Sequence, residues 1–154
     1  MLRETLVVFA AFLALAAATQ VNQCGTGRRY DDTDAVQISG CSAPPCILRR
    51  KTSVLVEQKF VPDHDVQNLR TSVHATILGL PLPFVGVDGT DACGNVFNLD
   101  GTPAGCPLKK GTEYHYKREF PVLEIYPKVS PVVYWALTEN DNPITCFEVP
   151  AKIT

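Results

Sequence analysis

The fold is decided by residues 106–137, which read CPLKKGTEYHYKREFPVLEIYPKVSPVVYWAL. This stretch contains three segments rich in β-branched and aromatic residues, at 113–119, 121–126 and 132–137. Prolines separate the segments, and a strand tolerates proline only at an edge, an end or a bulge. The stretch therefore predicts three consecutive strands that are interrupted at the prolines.

The third segment is apolar on both of its faces. Because side chains alternate along a strand, Val133, Trp135 and Leu137 share one face, and the opposite face carries Tyr134 between two further apolar residues. A strand that is apolar on both faces indicates an apolar interior that is larger than one layer of side chains can fill. We expect a β-sandwich with an apolar space between its sheets, although an ordinary filled sandwich core explains the same pattern.

The composition indicates one globular domain. The chain has 154 residues, of which 45% are hydrophobic, and a formal net charge of -2. This balance argues against a nucleic-acid partner, which requires a clustered basic face. The short basic runs at 49–51 and 109–110 are typical of solvated loops, or of contacts with an anionic membrane surface.

The first residues are typical of a cleaved signal peptide. Arg3 gives a charged start, residues 6–16 are apolar, and three alanines at 16–18 offer a cleavage site. The apolar run is too short for a comfortable membrane span. We expect a signal peptide at 1–19, with the mature chain starting near Thr19 or Gln20, and a secreted domain at 20–154.

Six cysteines follow the expected leader. An even number in an oxidising compartment predicts three disulfides. No Cys-x-x-Cys spacing is present, which argues against zinc. Spacing favours the pairs Cys41–Cys46 and Cys93–Cys106, and it leaves Cys24 to pair with Cys146.

Alternating patterns predict further strands. Val54, Val56 and Phe60 share one face of segment 51–62, and Val73 and Ile77 share a face of segment 70–80. A last strand is expected at 144–153. The pattern as a whole predicts an all-β, immunoglobulin-like sandwich of two antiparallel sheets.

The segment 80–87 reads LPLPFVGV and is apolar but irregular. Its alternate prolines exclude a central strand, because proline lacks the N–H group that a ladder needs. The segment either covers the core or borders an opening, and Phe84 is its largest residue.

No catalytic constellation is present. The sequence has no Gly-x-Ser-x-Gly motif, no phosphate-binding glycine loop and no metal-binding helix pair, and its three histidines are scattered. We therefore expect no enzyme activity, no metal site and no cofactor.

Several short motifs occur in a characteristic order. They are CG at 24–25, PC at 45–46, GLPLPF at 79–84, CPL at 106–108, VYWAL at 133–137 and CFEVP at 146–150. In this order, and with all six cysteines, the chain resembles the ML lipid-recognition domain over essentially its whole mature length. Its end is most similar to the Niemann-Pick type C protein two branch, and the group two mite allergens are more distant.

The resemblance implies a sandwich whose sheets part to admit a lipid, usually a sterol, with disulfides paired as the spacing favours. It also implies an entrance bordered by Phe84, Val122 and Tyr126. Deeper lining is expected from the remaining inward-facing candidates, which are Tyr116, Trp135, Val56, Phe60, Val73 and Ile77.

Two features depart from the mammalian sterol carriers. The loop between Cys93 and Cys106 is longer and contains three apolar residues, so it is expected to reshape the entrance. No Asn-x-Ser/Thr site is present, which weakens a mannose-phosphate route to lysosomes.

The expected function is carriage of a sterol to a membrane acceptor or receptor by a secreted monomer, with the endosome–lysosome lumen as a second destination. Two alternatives stay open at this point. One is a carrier of fatty acids or semiochemicals in chemosensation, and the other is a module that recognises microbial lipids in innate immunity.

Overall fold

The computed structural model describes residues 18–154, which form ten β-strands. The strands are β1 (Asn22–Gln23), β2 (Val36–Ile38), β3 (Cys46–Leu48), β4 (Thr52–Phe60), β5 (Arg70–Ile77), β6 (Leu80–Pro83), β7 (Val96–Phe97), β8 (Tyr114–Val122), β9 (Val132–Glu139) and β10 (Asn142–Ile153). A single 3-10 turn spans Cys93–Asn95, and residues 18–154 contain no α-helix. Within this range, no helix has the length and apolar character needed to cross a bilayer.

The strands form two sheets packed face to face. The first sheet has the order β1-β10-β9-β5-β6, and β3 joins β10 as its parallel neighbour. The second sheet has the order β2-β4-β8-β7, and its pairs are antiparallel. This arrangement confirms the predicted all-β, immunoglobulin-like sandwich of two sheets.

The alternation of side chains decides which face of each strand is buried. On β4, Val54, Val56 and Phe60 are buried, whereas Leu55 points outward and is exposed. The fourth inward position of this strand is Gln58, which is also buried. The core between the sheets is therefore apolar except at a small number of such positions.

The predicted strand at 121–126 is wrong. Strand β8 continues through Pro121 to Val122, and the chain then turns, with the Tyr126 N–H donating to the Leu123 carbonyl over 3.2 Å. Pro121 is tolerated because β8 pairs only with β4 at this point, opposite Ser53. Strand β7 reaches no further along β8 than Tyr116, so the missing N–H of Pro121 faces an open edge.

The segment with two alternate prolines is an edge strand, β6, as its sequence requires. The Phe84 N–H donates to the Val73 carbonyl over 3.0 Å, which fixes the alternation of the ladder. The backbone N–H and C=O groups of residues 80, 82 and 84 thus point toward β5. Pro81 and Pro83 have their ring nitrogens on the open edge of the sheet, where no N–H group is needed.

Three disulfides join the pairs that the spacing favours. Cys24–Cys146 links β1 to β10 across 122 positions of sequence, whereas Cys41–Cys46 and Cys93–Cys106 close local loops. The Cys24–Cys146 disulfide thus closes a loop over most of the described chain, and the last part of β10 lies outside it.

Most of the expected signal peptide lies outside the described residues. Thr19, however, lies within the described residues, and only 1% of its surface is exposed. Its N–H donates to the Val36 carbonyl over 2.9 Å, and its hydroxyl accepts from the Ile38 N–H over 2.9 Å and donates to the Cys41 carbonyl.

The long-range disulfide should contribute more stability than a local one. In the chain-entropy model, removing Cys24–Cys146 by Cys→Ser changes costs about 5 kcal/mol of unfolding free energy, and removing Cys93–Cys106 costs about 3 kcal/mol. Urea unfolding of the two double variants measures this difference. Equal losses would contradict the loop-length explanation.

Candidate functional site

Three aromatic rings close one end of the space between the sheets. Phe84 follows β6, Phe120 lies on β8, and Tyr126 ends the turn after β8. The ring of Phe84 meets Phe120 at 5.1 Å and 84° and meets Tyr126 at 5.3 Å and 73°. Both are edge-to-face contacts, the arrangement that aromatic quadrupoles favour. Together with buried Val122, these residues form what we call the mouth cluster.

A hydrogen bond links the two sides of the mouth cluster. The Tyr126 hydroxyl donates to the Val85 carbonyl over 2.7 Å. Tyr126 belongs to the chain leaving the second sheet, and Val85 to the chain leaving the first. The contact therefore ties the sheets together where they would have to separate for a ligand to pass.

An apolar cavity lies behind the mouth cluster. Its lining comes from both sheets and consists of Ile38, Cys46, Leu48, Val54, Val56, Phe120, Val133, Trp135, Phe147, Val149 and Ala151. The space left for the centre of a water-sized sphere is about 20 Å³. That space holds about one water, whereas small-molecule pockets typically measure about 300–1,000 Å³. In this state the core is nearly filled, and a lipid needs the sheets to move apart.

A depression on the outer surface is larger but chemically different. It measures about 360 Å³ beside β2 and β4, and Asp34, Glu57 and Lys59 are among its lining residues. Charged walls open to water do not suit a lipid. The small apolar cavity between the sheets is thus the better candidate site.

A column of aromatic rings runs from the mouth into the interior. Phe120 meets Trp135 at 5.8 Å and 90°, and Trp135 stacks on Phe147 at 6.5 Å and 2°. On the far side, Trp135 lies 6.4 Å from the ring of Tyr116. The column gives a continuous apolar path past the cavity.

The structure brings some of the sequence-predicted site residues together. Phe84 and Tyr126 touch at the mouth, with Val122 on the adjoining inward face of β8. Val56 and Trp135 line the cavity.

Four other candidates lie outside the cavity lining. Tyr116 lies beyond Trp135. Phe60 packs on Tyr114, 6.1 Å between ring centres, at the opposite end of the sandwich. Val73 is buried beside Trp135 in the sheet register, and Ile77 is half-buried next to β6.

Sequence reasoning missed several lining residues. Phe120 is the central one, and its signal was present, because it follows the inward alternation of Tyr114 and Tyr116 along β8. Cys46 and Leu48 had no such signal. They reach the cavity because β3 pairs in parallel with β10, a long-range contact that no local pattern encodes.

Three of the four buried side-chain polar atoms that have no hydrogen-bond partner within the described part of the chain lie between the two sheets. They are Gln58 Oε1, Tyr116 Oη and Trp135 Nε1. Gln58 and Tyr116 face each other in the register of β4 and β8, and Trp135 approaches from the other sheet. We call these three residues the inner polar cluster.

Burial keeps the phenol of the cluster neutral. It raises the pKa of Tyr116 well above the ordinary tyrosine value, against a smaller opposing effect of the Arg118 charge and the nearby Trp135 N–H. That N–H lies close to the Tyr116 hydroxyl without reaching hydrogen-bond geometry. The Gln58 amide N–H₂ does have a partner, the Thr145 hydroxyl at 2.7 Å.

Exposed apolar residues surround the mouth. They are Leu78, Leu80, Leu82, Val85 and Ile125, which we call the mouth rim. Leu78 is 98% exposed and has a φ of +52°, a conformation that suits glycine or asparagine in a hairpin turn. Leu78 therefore buries almost none of its side chain, and non-glycine residues in this backbone region cluster at functional sites.

Basic residues lie at the same end of the molecule. Arg49 and Lys51 form the turn between β3 and β4, and Lys128 follows the mouth cluster. The Lys51 N–H donates to the Val122 carbonyl over 2.7 Å, which places this turn beside the mouth. The other basic pair, Lys109–Lys110, lies at the opposite end near Tyr114.

The described residues offer no metal site. Nowhere in 18–154 do three or more His, Cys, Asp or Glu side chains gather in a way that would hold an ion. The chemistry available at the candidate site is therefore apolar contact with a few neutral hydrogen-bonding groups.

Comparison with known proteins agrees with this geometry. The family model described as "ML domain" matches residues 18–153. A Drosophila melanogaster protein named "NPC intracellular cholesterol transporter 2 homolog a" is 36% identical over 156 residues, covering 99% of each chain. The mite group 2 allergen Tyr p 2 of Tyrophagus putrescentiae is 28% identical over 148 residues, covering 96% of each.

A solved structure is also similar. The crystal structure of a Niemann-Pick type C2 protein from Japanese carpenter ant superposes with a TM-score of 0.65 at 32% identity. The match covers 77% of this chain and 89% of that one. The resemblance seen in the sequence motifs is thus confirmed in both sequence and fold.

The two inward tyrosines of β8 should respond differently to loss of their hydroxyl groups. The Tyr114 hydroxyl accepts from the Lys109 N–H over 2.9 Å, so Tyr114→Phe should cost about 1 kcal/mol of stability. Tyr116→Phe removes a buried hydroxyl without a partner among the described residues and should leave stability unchanged or raise it. Urea unfolding of both variants tests this; a larger loss for Tyr116→Phe would contradict it.

Proposed function

The chain belongs to the ML domain family, and on that premise we propose that it is a secreted carrier that holds one lipid, preferably a sterol, between its sheets. The observation that carries this proposal is the apolar cavity behind a closed aromatic mouth. Members of the family that resemble this chain are lipid-binding carriers and not enzymes. Carriage requires no catalytic group and no cofactor.

Uptake of a lipid is driven by burial of hydrocarbon. Several hundred square ångströms of apolar surface, at about 25 cal/mol per Å², favour insertion by roughly 10 kcal/mol. Separating the sheets and ordering the ligand offset part of this gain. A cavity of about 20 Å³ must therefore expand, with the lipid replacing contacts that the two inward faces make with each other.

The mouth cluster is suited to act as a gate. Phe84 and Tyr126 close the opening by edge-to-face contact, and the bond from Tyr126 to Val85 holds the two sides together. A sterol that enters with its hydrocarbon end first leaves its ring hydroxyl at this opening, where water satisfies it. Polar groups at the mouth then need only fix its orientation.

The mouth rim is suited to meet a membrane. Exposed leucines such as Leu78 and Leu80 can insert among lipid tails, and Arg49, Lys51 and Lys128 can approach anionic head groups. Contact at this end places the gate against the bilayer. A lipid can then pass between membrane and protein without crossing water, from or to a membrane acceptor.

The function of the mature chain requires removal of the leader. The hydrogen bonds of Thr19 favour cleavage between Ala18 and Thr19, because cleavage one residue later removes all of them. The N-terminal sequence of the protein secreted from eukaryotic cells should begin at Thr19. A start at Gln20 or beyond would contradict this assignment.

Binding of a fluorescent sterol is the direct test of the proposed function. Titration with dehydroergosterol should saturate at one molecule per chain, and cholesterol should displace it more effectively than oleic acid does. Stronger displacement by oleic acid would instead support a carrier of fatty acids or semiochemicals. No saturable binding of either lipid would refute the proposal.

Loss of the gate hydrogen bond should change rates more than affinity. Tyr126→Phe keeps the aromatic contacts but removes the bond to Val85, worth about 1 kcal/mol, so sterol uptake and release should both become roughly fivefold faster. Stopped-flow fluorescence measures both rates. Tyr134→Phe, on the outer face of β9 against His74, is the matched control and should behave as wild type. Unchanged rates in Tyr126→Phe would exclude this gate.

A charge on the mouth rim should slow transfer to membranes. Leu78→Glu should reduce the rate of sterol transfer to phosphatidylserine-containing vesicles severalfold and leave sterol affinity unchanged, since Leu78 is 98% exposed. Val61→Glu adds the same charge to an exposed position at the opposite end of β4 and serves as control. Equal transfer by both variants would show that the rim is not the docking surface.

A further inference from the structure

The inner polar cluster is the feature that a purely apolar carrier does not need. Gln58 is 1% exposed, Tyr116 is 0% and Trp135 is 2%, and each carries one polar atom without a partner in residues 18–154. Native proteins leave very few buried polar groups in this condition, and such groups usually have a water or ligand partner. Three on neighbouring side chains therefore point to a common missing partner.

The three residues lie at one level of the interior. Gln58 and Tyr116 are register partners on adjacent strands of the second sheet. Trp135 faces them from the first sheet, with its ring centre 6.4 Å from that of Tyr116. The bond from Gln58 to Thr145 also crosses to the first sheet and holds the amide in the space between the sheets.

The cluster lies on the path that an inserted lipid would follow. Trp135 lines the apolar cavity and also belongs to the cluster. The aromatic column leads from Phe84 through Phe120 to Trp135, and Tyr116 lies next along it. Gln58 and Tyr116 do not line the cavity in this state. The leading end of a lipid therefore reaches the cluster only when the sheets move apart beside Trp135, whereas the trailing end stays at the mouth.

The donors and acceptors of the cluster select a hydroxyl group. Gln58 Oε1 only accepts, Trp135 Nε1–H only donates, and the Tyr116 hydroxyl does either. A ligand hydroxyl can donate to Gln58 while it accepts from Trp135 or Tyr116. A ketone oxygen would leave Gln58 Oε1 unpaired.

A carboxylate fits the cluster less well than a hydroxyl. The negative charge of a carboxylate would repel Gln58 Oε1, which is a hydrogen-bond acceptor. A buried charge also requires a partner of opposite sign. Arg118 is the cation whose charge acts on the Tyr116 phenol. Its guanidinium donates to the Gly86 carbonyl at 3.4 Å and is therefore not directed at the cluster. The matching group is therefore neutral.

We propose that the inner polar cluster binds a hydroxyl group at the leading end of the lipid, so that the protein prefers a sterol hydroxylated on its side chain to one with a plain hydrocarbon side chain. This proposal rests on the proposed function, because it assumes that a sterol enters tail first. The sterol would then make two polar contacts. Its ring hydroxyl bonds to water at the mouth, and its side-chain hydroxyl bonds to the inner polar cluster at the deep end.

The test compares two sterols that differ by one hydroxyl. Cholesterol and 25-hydroxycholesterol compete separately against dehydroergosterol. A net gain of about one hydrogen bond corresponds to roughly a fivefold change in affinity, so 25-hydroxycholesterol should bind about fivefold more tightly. Tyr116→Phe and Gln58→Leu, made singly, should each reduce this ratio toward one.

A matched control separates the cluster from general effects on the core. Tyr114→Phe removes a hydroxyl from the same face of β8, two residues away, whose partner is the Lys109 N–H. This variant should keep the wild-type preference. If it lost the preference to the same degree as Tyr116→Phe, the cluster would not be the cause.

The outcomes distinguish this inference from the proposed function. Equal binding of the two sterols by the wild-type protein overturns the inference, leaves the carrier function intact and means that a buried water alone occupies the cluster. Absence of saturable dehydroergosterol binding by the wild-type protein overturns the assumption of sterol carriage itself. Retention of the roughly fivefold preference in both single variants also overturns the assignment to Gln58 and Tyr116.

Discussion

The apolar contact between the inward faces of the two sheets is the interaction on which the rest of the structure depends. It forms the core of the fold, and the same surfaces form the walls of the candidate lipid site. A cavity of about 20 Å³ means that these walls touch each other when no lipid is between them. In the proposed function, stability and lipid binding thus use the same surface, and the lipid competes with the protein's own core for it.

This dual use explains where the covalent and polar restraints lie. The Cys24–Cys146 disulfide fixes the first strand to the last without bridging the two sheets. At the mouth, by contrast, the sheets are joined by aromatic contacts and by hydrogen bonds from the Tyr126 hydroxyl and the Arg118 guanidinium. Contacts of this strength can break and re-form on the timescale of lipid exchange, and a disulfide at the same place could not.

Much of the fold could be predicted from local pattern. Alternation located β4, β5 and β10, because one face of each is buried, and an apolar run located β9. Cysteine spacing favoured the observed pairs. The failure at 121–126 has a physical cause. Pro121 looks like a strand end in sequence, but β8 has an open edge there, so the proline costs no hydrogen bond. Edge positions depend on the whole sheet and cannot be seen locally.

The candidate site was less accessible to sequence reasoning than the fold. Inward positions follow from alternation, and Phe120 could have been found in this way. The size of the cavity depends on how two sheets pack, and the lining by Leu48 depends on a parallel pairing that no pattern encodes. The inner polar cluster is likewise visible only once Gln58 and Trp135 face each other across the core.

The measurement that tests the central claim most directly is native mass spectrometry, with organic extraction, of the protein secreted from eukaryotic cells. The account predicts a mass equal to the mature chain plus one lipid, and a sterol in the extract. A protein that carries no lipid and also fails to acquire a sterol from vesicles would contradict it, since the closed interior would then be an ordinary core.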